Sequence, residues 1–163
     1  MTAVRRLRRV TVGATFVYFA ALVAIAFWPV PVDQNAGDLL YRMFAWLYRH
    51  DAPRWLDYDF LEFSANVILF IPVGLFVVVL AGTRRWWLGI LAGFVTTCAI
   101  EAGQLMFLPS RFATVEDVIA NTFGAVLGTL LATVALAIAH SHERRARARA
   151  RLSGGRSRLS PRA

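Results

Sequence analysis

Six residues in the last hundred or so positions of the chain have the types and spacing to do chemistry together. Glu101 is the only charge in the apolar run WWLGILAGFVTTCAIEAGQLMFL. A carboxylate there costs free energy unless it has a partner, a proton or a wet cavity. Gln104 follows at i+3, on the same side of a helix. Asn66, Asp117 and Asn121 stand near the ends of two further apolar runs, and Arg111 sits between the runs carrying Glu101 and Asn121. Two carboxylates with a guanidinium suit acid–base work or the grip of an anion; the three carboxamides suit orientation of a polar group. The simpler reading is also open. Asn and Gln tie membrane helices together, Asp117 caps a helix, and Glu101, Arg111 and Asp117 close on one another as a salt-bridged core.

Positioning these residues falls to four apolar runs, at 10–29, 61–82, 86–108 and 118–139. Each is near the twenty residues that cross a hydrocarbon layer. With 58% hydrophobic residues, the 163-residue chain has too little polar surface to cover four such helices in water. The expected fold is all-α: a polytopic membrane bundle of four transmembrane helices plus a short interfacial helix. Arg5 to Arg9 ahead of the first run resembles a signal peptide, but the run is long for one and reads as an uncleaved span.

The net charge of +8 is unevenly placed. All eighteen basic residues are Arg, and fourteen of them lie before the first run, between the second and third, or after the fourth. By the positive-inside bias both termini are cytoplasmic. The expected location is a bacterial plasma membrane, multi-pass. Residues 1–140 form one transmembrane domain, with its motifs at about 60–139, and 141–163 form a basic cytoplasmic tail, expected to be disordered. That tail lacks interleaved aromatics, so a topogenic or headgroup role is expected rather than nucleic acid. The partner is the lipid bilayer.

In the loop between the first two spans, Asp38 is placed to cap an amphipathic helix over residues 39–49, either lying on the outer surface or packed as a lid. Gly82 to Arg85 reads as a tight inner turn, and Pro72 as a kink. Counting 1.5 Å per residue puts Asn66, Glu101 and Asn121 roughly 6–10 Å below the outer surface. Each continues a stripe of small residues at helical spacing: Gly74; Gly89, Gly93 and Thr97; Gly124 and Gly128. Such stripes face other helices, so the polar groups should converge inside the bundle.

Other catalytic signatures are absent. His50, His140 and His142 lie in loops or the tail, and no HExxH, GxSxG or phosphate-binding loop occurs. The single Cys98 makes no intramolecular disulfide and no Cys-based metal site. Neither metal nor cofactor is implied.

Three motifs in order carry a resemblance: NVILFIPVG from Asn66 to Gly74, IEAGQ from Ile100 to Gln104, and R-x5-D-x3-N-x2-G-x3-G from Arg111 to Gly128. Over residues 66–131 the chain resembles the VanZ-like family of small membrane proteins. The resemblance implies a compact multi-helix membrane domain. It also implies that Asn66, Glu101, Gln104, Arg111, Asp117 and Asn121 match the family's motif positions. The family's name comes from a protein linked to low-level teicoplanin resistance, which makes glycopeptide susceptibility an implied phenotype. The expected function is an outward-facing polar pocket for a polar or anionic envelope ligand, such as the headgroup of a lipid-linked cell-wall precursor. Two alternatives stand beside it. One is a membrane enzyme using Glu101 or Asp117 as acid–base groups on a lipid-linked substrate. The other is a non-catalytic packing or partner protein.

Overall fold

A computed structural model describes residues 3–28, 37–108 and 114–157, with side chains described for 9–28, 37–108 and 114–142. Five α-helices follow one another, with no strand among the described residues: α1 (Ala3–Ala26), α2 (Gly37–Arg49), α3 (Tyr58–Ala81), α4 (Trp87–Phe107) and α5 (Val115–Ser157). Four contain stretches long and apolar enough to cross a membrane: Arg9–Ala26, Tyr58–Ala81, Trp87–Phe107 and Val115–His142. These coincide with the four apolar runs.

Sequence chemistry sets the boundaries. Asp57 caps α3, its carboxylate accepting from the Phe60 N–H at 3.0 Å. At the other end Gly82 holds φ at 84°, and its N–H returns to the Val78 carbonyl at 2.8 Å. No neighbour crowds Gly82, so the positive φ alone asks for glycine there. One 3-10 turn, Thr83–Arg85, then reverses the chain into α4. Pro72 lies inside α3 without ending it. It has no N–H for the carbonyl four residues back, and the Tyr18 hydroxyl of α1 donates to the neighbouring Leu69 carbonyl.

Two expectations shift. Asp38 does not precede α2; the helix begins at Gly37, and Asp38 sits in its first turn, where a negative charge suits the positive end of the helix dipole. The segment after residue 141, expected to be disordered, is helical through Ser157. Its Ala–Arg alternation explains this, since both residues are strong helix formers.

Helices α3, α4 and α5 pack mutually, and α1 lies against α3 and α4. The closest approaches use glycine. A β-carbon on Gly124 would overlap the Val67 carbonyl of α3, and one on Gly128 the Ile71 carbonyl one turn further along. Gly74 of α3 abuts the Ala125 backbone of α5; Gly93 and Gly89 of α4 abut Ala125 and Thr129 of α5. In a bilayer, where apolar burial does not drive association, such backbone proximity supplies the van der Waals energy that holds helices together. On the far side of α3 and α4, Leu22 and Ala26 of α1 pack with Phe70, Val73 and Ile100. Gly103 makes room for the Phe27 ring. The outward faces carry Phe16, Val17, Ile68, Val95, Leu131 and Val134, a surface suited to lipid.

Candidate functional site

Polar side chains gather where α1 and α4 end and α3 and α5 begin. Thr114 immediately precedes α5, and Asp117 is its third residue. The Asp117 N–H donates to Thr114 Oγ1 at 3.1 Å, and the Thr114 hydroxyl donates to Asp117 Oδ2 at 2.9 Å. The first bond is that of an N-cap threonine; the second ties the Asp117 carboxylate to the capping hydroxyl itself. The cap is therefore Thr114, not Asp117. The other carboxylate oxygen, Oδ1, accepts from Asn66 Nδ2 of α3. Both oxygens of Asp117 are thus engaged, one by the residue that precedes its helix and one across to α3.

One turn further into α5, Asn121 is only 5% exposed. It donates from Nδ2 to Thr97 Oγ1 of α4 at 2.9 Å. Its carboxamide oxygen has no hydrogen-bond partner among the described residues. Glu101 lies four residues beyond Thr97 on the same face of α4 and is 8% exposed. Gln104 is also buried but turns toward α1, where Nε2 donates to the Ala26 carbonyl at 2.8 Å. That carbonyl belongs to the last residue of α1 and has no further helical turn to satisfy it.

Of the six residues singled out in the sequence, two pairs of helices account for most of the geometry. Asn66 and Asp117 join α3 to α5, and Asn121 joins α5 to α4 through Thr97. Gln104 departs from the expected cluster by serving the α1 contact. Arg111 lies outside the described residues. Sequence reasoning placed Thr97 in a packing stripe but missed that its hydroxyl receives Asn121. It also missed Thr114, although T-V-E-D at residues 114–117 carries the capping-box spacing. No group of three or more His, Cys, Asp or Glu suited to a metal occurs among the described residues.

Four apolar spans, glycine-mediated helix contacts and buried polar groups at one end define a small polytopic membrane helix bundle. Within that class, residues 15–136 match the VanZ/LLP1 family, and the chain belongs to it. The match begins within α1 and ends within α5, so it takes in α2, α3, α4 and each interhelical polar bond described above. No curated protein and no solved structure matches the chain.

Proposed function

We propose that the end of the bundle carrying α2 faces outward from a bacterial plasma membrane, and that its polar layer binds the headgroup of an envelope lipid or lipid-linked precursor. The observation that carries this reading is the Asn121 carboxamide oxygen. A buried acceptor left unsatisfied costs about 1–3 kcal/mol. The other polar side chains at this end, Asn66, Thr97, Gln104 and Asp117, are all engaged in bonds between helices. An acceptor held in place by the hydrogen bond that its own Nδ2 gives Thr97, one turn along α4 from the buried Glu101, is suited to a donor that arrives from outside: a hydroxyl or an amine of a headgroup. Arg111, in the connection between α4 and α5, is the natural contact for an accompanying phosphate or carboxylate. The outward assignment rests on the Arg distribution, with fourteen of eighteen in the segments that flank the opposite ends of the apolar runs in sequence. The family tie makes teicoplanin susceptibility the envelope phenotype to measure.

A packing role is the second reading, favoured by the three interhelical bonds of Asn66, Gln104 and Asn121. Native mass spectrometry of protein extracted in mild detergent separates the two. The wild type should retain a lipid whose mass identifies its headgroup. Asn121→Ala should lose that lipid while still melting cooperatively. Equal lipid retention by both proteins would leave only the packing role.

A further inference from the structure

We infer that α2 lies in the headgroup–acyl boundary of a lipid leaflet, with Leu39, Met43 and Trp46 as the face that enters the acyl region. The helix has no buried residue and makes no extended contact with any of the spans. Its thirteen residues nevertheless sort into separate stripes. Leu39, Met43 and Trp46 recur at i, i+4 and i+7 and are 70%, 37% and 58% exposed. Leu40, Phe44 and Leu47 repeat the same spacing one position later and are half-buried. Asp38, Arg42 and Arg49 recur at i, i+4 and i+11 on another side. Tyr41 and Tyr48 occupy the remaining arc and are exposed.

Position excludes bulk water as the natural surrounding of the apolar stripe. From α2 the chain reaches α3 through one short, ordered connection. Ala52 N–H returns to the Leu47 carbonyl at 3.1 Å, and Leu56 N–H to the Pro53 carbonyl at 3.0 Å. The Tyr48 hydroxyl donates to the Leu56 carbonyl at 3.2 Å, and Asp57 then caps α3. The helix is thereby held beside the first turn of a membrane span. Trp28 and Trp55 are exposed at the same end, so α2 stands within an aromatic zone of the kind found at bilayer surfaces. At that level an exposed Leu–Met–Trp face gains by entering lipid. A stripe carrying both charge signs sits well among headgroups.

Collision accessibility of nitroxide labels tests this. Single cysteines replace Leu39, Met43 or Arg42 in a Cys98→Ser background, in vesicles of phosphatidylethanolamine and phosphatidylglycerol. Leu131→Cys, on an exposed apolar face of α5, serves as the lipid reference. The ratio of oxygen to nickel-chelate collisions at Leu39→Cys and Met43→Cys should approach that of the reference and exceed that of Arg42→Cys several-fold. Equal ratios at Met43→Cys and Arg42→Cys would place the stripe in water and overturn the inference. Shielding of Met43→Cys from both reagents, with spin–spin broadening, would overturn it in favour of a second copy.

Discussion

The bundle has two halves built on the same helix faces. Toward the Arg84–Arg85 turn, the stripes of α3, α4 and α5 present Gly74, Gly89, Gly93, Gly124 and Gly128, and glycine lies against backbone or against the small side chains of Ala125 and Thr129. Toward α2, the same stripes continue at the same spacing as Asn66, Thr97, Glu101, Asp117 and Asn121. One interface thus changes character halfway along. Where glycine stands, no room exists for a side chain. Where the polar residues stand, the helices are held apart by side chains that bond across the gap. Among the described residues, the bonds that Asn66, Gln104 and Asn121 make between helices fall in the polar half, whereas the glycine half depends on fit; each half keeps a buried polar atom without a partner, Asn121 Oδ1 in one and Thr129 Oγ1 in the other.

If that division is right, filling the glycine half should do the most damage. Gly128→Leu drives a side chain into the Ile71 carbonyl, which is backbone and cannot turn aside. We expect a loss of about 3 kcal/mol or failure to accumulate, read by thermal melting in detergent. Gly124→Leu should behave similarly. Survival of both at wild-type stability would mean that α3 and α5 do not meet through this face.

The polar half should respond more gently. Thr114→Ala removes the cap of α5 and should cost about 1 kcal/mol in the same melting assay. A smaller effect is expected from the bond between Asn66 and Asp117. A double-mutant cycle with Asn66→Ala and Asp117→Ala should return a coupling of about 0.6 kcal/mol, the usual size for side-chain bonds inside membrane proteins. A coupling near that of the glycine substitutions would erase the distinction between the halves.

The glycine half was legible in the sequence because small residues at four-residue spacing have one common use in a membrane helix. The four spans were legible for a similar reason: length and hydropathy leave few alternatives. The polar half was legible in membership but not in pairing. Periodicity puts Gln104 on the same side as Glu101, yet the face of a helix covers a wide arc. The free Ala26 carbonyl of α1 draws the Gln104 amide to a neighbour with no motif to announce it. Thr97 went unrecognised as a partner because a threonine in a small-residue stripe reads as a spacer until the facing Asn121 is known. The helical continuation through Ser157 was obscured by the charge of the tail, which weighed more in the reading than its Ala–Arg helix propensity.

Glu101→Gln gives the most direct test of the claim that the polar half is a site rather than glue. The substitution keeps the shape of the side chain and removes its charge. Melting and native mass spectrometry on the same preparation read stability and lipid retention together. The account predicts a melting temperature close to wild type with the bound lipid lost. A lowered melting temperature with the lipid retained would contradict it and assign Glu101 to the scaffold.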